Sequence, residues 1–573
     1  MNLKSIFIVI CSCCFLFSPI HVLQASDLNP NPDHDYDVII VGGGVAGLTA
    51  AYMLRDRDIL LFEKNERLGG RIWSETVDGI PYNIGTQFLG EEDNSFVRML
   101  DELGVQRDLY SIMDAPMAAY VGEEYFHDLT AMPLGLGDIF ELARIISIAY
   151  RNEKIFQLDP DHPDWQEQSR KRLADIIKTD SDQVMAVFRA YLKAACVTKP
   201  ERVSAGAGAY LMADIYSTAP YAFVKGGTQQ ITDTMAAGLK GKVFNNSKVK
   251  NMRQEDGTVW VAVERNGETV VLKSKNAVMA TTAPTALTLL PDIPTWKRKA
   301  LEKIEYGSII TVNLFLDQIP WKRFMGLLAD DLIFSGVIDT TYLSDAAGEN
   351  KAGPKILNAF ISTPPSEQAL IEEMLSKSDQ EIVSLVIKDF EKIFPGVDVP
   401  GHVKESRVTR FARGEVSLTP EFFAHLPALQ KPVGNIHFCG DYSDRSSYLG
   451  GAVMSGFRVA RELGSQNVVS KSDEIRFART PNWGAYGSGA IIVCILIILI
   501  GFYFGFKRKM HTYYSRIMMA ISFVMLILTI VYPFYLPPFQ EVYQILCVLI
   551  LLLVTLGFFI AKVWARVQKP KRV

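Results

Sequence analysis

Apolar positions along this chain fall into distinct patterns, and each predicts a different kind of element. Asp37–Val41 leads a short continuous apolar run, the signature of a parallel strand buried on both faces. A glycine cluster follows at 42–47, then helical spacing from Ala46 to about Leu54, then a second apolar strand at Ile59–Phe62 that ends on Glu63. Lys248-Val249 and the alternation Val259, Val261, Val263 predict a strand entering a hairpin. Ala277–Thr281 and Gly307–Thr311 read as further strands. Ile139–Tyr150 and Ser181–Cys196 carry the 3.6-residue spacing of amphipathic helices.

The two ends follow another rule. Lys4 precedes an apolar run, Ile6–Phe17, and Ala25-Ser26 offers a small-residue cleavage site, so residues 1–25 read as a secretory signal peptide. An uncleaved anchor and a lipidated Cys13 remain alternatives. Near the C-terminus, 486–506, 517–536 and 542–561 are uncharged apolar runs of about twenty residues, each long enough as a helix to cross roughly 30 Å of hydrocarbon. Lys507, Arg508, Lys509 and Arg516 separate the first two runs, whereas no base lies between Pro537 and Glu541. Lys562, Arg566, Lys569, Lys571 and Arg572 follow the third. Basic loops stay cytoplasmic, so three spans place residues 26–485 on the extracytoplasmic side, the side a signal peptide also demands. The expectation is a multi-pass membrane protein with a linker at 467–485, spans within 486–561 and a basic cytoplasmic tail at 562–573.

Composition changes the picture only by exclusion. Of 573 residues, 49% are apolar and 21% charged, and the formal net charge is −4, so neither a disordered chain nor a nucleic-acid binder is indicated. Seven cysteines are too few for a disulfide framework; only Cys196 and Cys439 fall in the globular part, where one bridge is conceivable. No spacing suggests a metal site.

The glycine cluster carries the chemistry. Gly42, Gly44 and Gly47 form G-x-G-x-x-G between a strand and a helix. The first glycine permits the tight turn, the second lets a pyrophosphate approach, and the third lets helix and strand pack closely. The helix start, with Val45 and Ala46, aims free N–H groups and partial positive charge at the phosphates. Glu63, 21 residues after Gly42, suits the ribose hydroxyls and repels a 2′-phosphate.

Glu63-Lys64-Asn65-Glu66-Arg67-Leu68-Gly69-Gly70-Arg71 resembles the E-x-x-x-R-x-G-G-R stretch of the flavin amine oxidase superfamily, which includes monoamine oxidases, protoporphyrinogen oxidase and phytoene-type desaturases. The resemblance continues through Tyr82–Gln87 (Asn83 standing where an Asp is usual), Phe223–Gly227, Val249, Ala277–Thr281, Phe438–Asp441 and Tyr448–Gly456, covering about 36–465. It implies noncovalent FAD, with Lys64, Arg67, Gly69, Gly70 and Arg71 lining diphosphate and flavin, and the backbone of Val249 meeting adenine. It also implies Gly440 and Asp441 at the ribityl or phosphate region, and a helix start at Gly451, Ala452 and Val453 facing the flavin N1/O2 edge. The implied fold is α/β: a Rossmann-type FAD-binding domain (pieces 36–100, 222–290, 405–466) interleaved with an α+β substrate domain (101–221, 291–404) within 26–466, plus the C-terminal three-helix transmembrane segment.

The resemblance implies removal of a hydride equivalent from a small-molecule amine or other organic substrate, the cofactor doing the chemistry and the protein supplying position and electrostatics. Two departures stand out. Thr311 occupies the place of a lysine that contacts flavin N5 through water, and Tyr448 matches one of two substrate-framing aromatics while Val416–Ser417 offers no second. A desaturase- or protoporphyrinogen oxidase-like dehydrogenase of an apolar substrate, and a flavin electron carrier, are the alternatives; membrane lipid and a quinone acceptor are the further partners expected.

Overall fold

The computed structural model describes residues 30–467, apart from 91–93, 111–115, 130–131, 133, 157, 159, 180, 216–220 and 343–352. The signal segment, the linker from 468, the three apolar runs and the tail lie outside the described residues. Contacts divide the chain into 1–481 and 482–573, and every described residue belongs to the first unit. Among the described residues, no helix is long and apolar enough to cross a membrane.

A seven-stranded sheet is built around Asp35–Val41, which runs parallel to Ile59–Phe62 on one side and to Glu268–Met279 on the other. Val38, Ile39 and Ile40 are fully buried, as a strand covered on both faces requires. Val243–Phe244 extends the sheet beyond Ile59–Phe62. The long strand Glu268–Met279 is shared. Its first part pairs antiparallel with Thr258–Arg265, which pairs in turn with Ser247–Glu255, and its last three residues pair in parallel with Ile436–Phe438. Strands separated by hundreds of residues thus meet in one sheet, because each is too short to hide its apolar faces alone.

The second seven-stranded sheet runs in the order Val403–Val416, Tyr306–Leu316, Lys355–Thr363, Gly336–Asp339, Gly326–Ala329, Met117–Val121, Glu124–Phe126. Residues 405–466 therefore divide between the sheets: 405–416 pairs with 306–316 in the second, and 436–438 with the first. Strand alternation sends Ile310, Val312 and Leu314 with Leu357, Ala359 and Ile361 into a core shared with Met374, Ile382, Val386 and Phe390 of helices Gln368–Ser376 and Asp379–Ile393. The opposite face carries Thr311, Asn313 and Asn358, with Asn313 directly across from Asn358. Leu328, Ala119 and Val121 join a core with helices Leu136–Phe156, Asp182–Cys196 and Ala205–Ile215, and Tyr448 packs against that core. The expected helix at 139–150 runs further at both ends, and the one at 181–196 begins with the Ser181 hydroxyl accepting from Val184 N at 3.3 Å.

Candidate flavin site

The glycine loop leaves the end of Asp35–Val41 and enters helix Val45–Met53. Gly42 holds φ at +113°, and a Cβ there would lie 2.6 Å from the Ala280 carbonyl oxygen, so only glycine makes this turn. A Cβ on Gly47 would lie 2.0 Å from Gly42 O, so the helix could not sit so close to the loop. At Gly44 the position of a Cβ meets nothing within 4 Å. The helix beginning there has no side-chain cap and no acid in its first turn. Open space in front of uncapped N–H groups is what a phosphate requires.

Glu63 braces this loop. Its Oε2 accepts from Gly43 N at 2.8 Å, and its Oε1 accepts from the Asn65 backbone and side-chain amides at 3.0 and 2.8 Å. Lys64 is exposed beside it. Ser247 N donates to Glu63 O at 2.8 Å, which brings the start of Ser247–Glu255, with buried Val249 and a bulge immediately after it, alongside.

The Arg-x-Gly-Gly-Arg turn folds back on the glycine loop. Gly69 N donates to Gly43 O at 2.8 Å, and Gly70 packs against the Cα of Gly44. The two arginines do different work. Arg67, expected to face phosphate or flavin, donates to the carbonyls of Leu68, Gly70 and Ile72 and to Gln229 Oε1, with its guanidinium over Trp73; it holds the shape of the turn. Arg71 reaches across the site to Asp441 Oδ2 at 2.6 Å and Gly414 O at 3.1 Å. Asp441 is thereby committed to Arg71, and beside it Gly440 N donates to Ser455 Oγ at 2.8 Å.

Helix Leu449–Glu462 starts after Tyr448, again with no side-chain cap and no first-turn acid. A Cβ on Gly450 would meet nothing within 4 Å, whereas one on Gly451 would lie 1.9 Å from Ser446 O. Ala452 and Val453 are buried behind them. The helix crosses Val45–Met53 at Gly456, where a Cβ would meet Ala46 O at 2.7 Å. Glycine at that crossing lets the two uncapped helices approach each other.

The face of the second sheet that carries Thr311, Asn313 and Asn358 is polar and under-satisfied. Thr311 is buried and its hydroxyl has no partner among the described residues. Asn358 donates to Asn313 Oδ1 and to Asn83 O, both at 2.8 Å, which leaves Asn313 Nδ2 and Asn358 Oδ1 unpartnered. Buried atoms of this kind mark a place for water, substrate or cofactor. Asn83 fits its setting as an amide. Its Oδ1 accepts from Thr228 N and Ser74 Oγ, while its Nδ2 donates to Gln87 O at 2.8 Å, which an aspartate could not do.

Three residues outside the motif set complete the site. Cys196 Sγ donates to Tyr448 OH at 2.9 Å; Ser447 Oγ donates to Glu415 Oε1 at 2.7 Å; and Glu415 lies beside Arg71 and Asp441. Burial pushes the Glu415 carboxyl up, to about 8, against the weaker downward pull of Ser447 and Arg71. One glutamate at a strand end and one buried cysteine give no sequence signal; only the fold brings them together. Cys196 and Cys439 are both buried thiols, not a disulfide. Among the described residues, no group of three or more His, Cys, Asp or Glu could hold a metal ion.

Two uncapped helix starts, open space at Gly44 and Gly450, and a ribose-type acid next to the glycine loop fit a dinucleotide. Fold and site together define a flavoprotein oxidoreductase. The sequence profile of the family described as flavin containing amine oxidoreductase matches residues 45–464, and the chain belongs to that family. It is an FAD-dependent oxidoreductase of amine oxidase type. Among curated relatives, it is 23% identical to the probable flavin-containing monoamine oxidase A of Dictyostelium discoideum, across 76% of this chain and 99% of that protein. It is 22% identical to the L-amino-acid oxidase of Naja atra, across 76% and 88%. Among solved structures, cyclohexylamine oxidase from Brevibacterium oxydans shares the fold with a TM-score of 0.61 at 20% identity, covering 75% of this chain and 99% of that one. A putative protoporphyrinogen oxidase from Exiguobacterium does so with 0.56 at 15%, covering 75% and 99%.

Proposed function

We propose that this protein is a membrane-anchored, extracytoplasmic oxidoreductase that removes a hydride equivalent from the carbon bearing the nitrogen of a small amine, with FAD held noncovalently. The observation that carries the reading is Tyr448, half-buried at the start of the uncapped helix 449–462, with its hydroxyl bonded to the thiol that ends helix 182–196. An aromatic there has one face for a substrate and a fixed edge. Bound FAD supplies the hydride acceptor; this chain's residues bind, orient and exclude water. Neither buried cysteine stands in a flavin-attachment context, which supports a noncovalent cofactor.

A second reading is favoured by Thr311: a dehydrogenase acting on a C–C bond of an apolar substrate, with a membrane quinone as acceptor. That strand carries no lysine, so it supplies no cation of its own to help oxygen become superoxide. Three apolar runs at the C-terminus would keep the enzyme where lipid-soluble acceptors are concentrated. Anaerobic mixing of the purified flavoprotein with amines, amino acids, porphyrinogens and polyenes separates the readings: bleaching of the flavin by amines alone supports the first, and bleaching only by porphyrinogens or polyenes replaces it with the second.

A further inference from the structure

In each of three adjacent strands of the second sheet, one residue beyond the strand's first position keeps accessible surface: Ile309 in 306–316, Phe360 in 355–363 and Ile338 in 336–339. The register puts all three on the face opposite the core that holds Val312 and Ala359. Phe360 lies directly between Thr311 and Gly336, with Ile309 and Ile338 at opposite diagonals, so the three side chains are neighbours. An inner strand shows large apolar side chains only where the layer above it leaves a space. That layer is close on either side. A Cβ on Gly307 would lie 2.3 Å from Val197 Cγ1, and one on Gly336 3.3 Å from Ala194 Cβ, so the end of helix 182–196 rests on the sheet at both places. A Cβ on Gly414 would lie 2.6 Å from Ile309 Cγ1, and the Gly414 carbonyl accepts from Arg71 Nη1 at 3.1 Å. The apolar surface therefore adjoins the strand end that holds Arg71. Next to it on the same face is Gly307, which meets the turn just after Cys196.

What this face offers is carbon without charge. Its polar members, Thr311, Asn313, Asn358 and Ser362, are each no more than 1% exposed. No residue on this face of the three strands is charged. On the neighbouring strand 403–416, Arg407 lies opposite Asn313 but is paired with Glu75 and Glu405. A ligand over Ile309, Phe360 and Ile338 gains by taking its own carbon and theirs out of water. A second ammonium or a carboxylate placed there would give up its water and find no counter-ion. We propose that Ile309, Phe360 and Ile338 form the subsite for the body of the substrate, and that this body is uncharged and apolar: an aryl or alkyl monoamine rather than a diamine or an amino acid. The proposal rests on the amine reading for the reacting end of the molecule only; the subsite concerns the other end.

The test uses the FAD-loaded, full-length protein with straight-chain amines, the diamines of the same length and the matching α-amino acids. In the monoamine series kcat/KM should rise about fourfold for each added methylene until the floor is covered. A terminal ammonium or an α-carboxylate on the same chain should lower it about tenfold or more. A diamine or amino acid oxidised as well as the monoamine of equal length overturns the proposal. Phe360→Ala should raise KM for long or aromatic amines about tenfold, change it little for ethylamine, and leave the affinity for FAD as it was. Ile338→Ala is the second variant, with the same pattern expected if Phe360→Ala does not fold. Weakened FAD in the variants would mean that the floor carries the flavin ring, and overturns the proposal too. If no amine is oxidised, the amine reading falls and binding alone decides the subsite. Titration calorimetry with benzyl alcohol, a neutral arene, should then show a Kd about tenfold weaker in the variants than in the wild type; no binding, or equal binding, sinks the subsite as well.

Discussion

Arg71 Nη1 lies 2.6 Å from Asp441 Oδ2, although 370 residues separate them in sequence. That bond closes the site, tying the Arg-x-Gly-Gly-Arg turn to the residues ahead of helix 449–462. It also leaves the neighbouring Glu415 with no cation of its own. A carboxyl raised from 4.5 to about 8 keeps its proton in the folded protein while the unfolded chain loses it, so stability must fall as pH rises through that window. Glu415→Gln should flatten the decline, by on the order of a few kcal/mol. Urea unfolding at several pH values checks this; parallel pH profiles for wild type and variant would be against it.

The two outer contacts of the glycine loop separate fold from cofactor. Gly42→Ala forces a side chain into φ +113° and onto Ala280 O, and should cost about 1–3 kcal/mol with or without FAD. Gly44→Val fills space that no protein atom uses, and should leave the apoprotein's melting temperature unchanged while preventing FAD binding. Thermal melts with and without added FAD distinguish the two; an apoprotein equally destabilised by both variants contradicts the reading of Gly44.

Lys297 is fully buried and donates to the carbonyls of Ala428, Leu429 and Lys431, at 3.0, 2.7 and 2.8 Å, where helix Pro420–Gln430 ends. Burial and Arg458 press its ammonium downward, yet three acceptors can be met together only by the protonated form, which argues for the charge being kept. Lys297→Met should cost about 2–4 kcal/mol by orphaning those carbonyls. A denaturation midpoint unchanged from wild type would show that the cap contributes nothing.

In the proposed site, Thr311 stands where a lysine would face the flavin, and its hydroxyl supplies no charge there. The reduced enzyme should therefore react faster with a soluble quinone than with oxygen. Thr311→Lys should speed the oxygen reaction on the order of tenfold, equivalent to about 1.4 kcal/mol of transition-state stabilisation. Stopped-flow reoxidation of dithionite-reduced protein decides it, and an oxygen rate equal to the quinone rate in the wild type removes the argument from Thr311.

The proposed topology makes a simple pattern. Reporter fusions after Trp483 and after Glu541 should behave as exported, and a fusion after Lys509 as cytoplasmic. The inverse pattern would place the flavin site on the cytoplasmic side.

What the sequence determined by itself was a set of local features. A run of buried aliphatics, a glycine triplet with an acid 21 residues on, and uncapped helix starts are set by neighbours within one element, so they were readable before any packing, and so was the family they resemble. What only the tertiary structure decided was which groups share an environment. Arg67 and Arg71 look equivalent in sequence, but one is consumed by its own turn and the other spans the site to Asp441. The strand carrying Glu415 lies in a stretch that reads as cofactor-binding, yet it pairs into the second sheet, and its register sets that carboxyl against the Ser447 hydroxyl. Burial, and with it the state of a proton, depends on atoms brought together from distant parts of the chain, and local pattern carries no record of that.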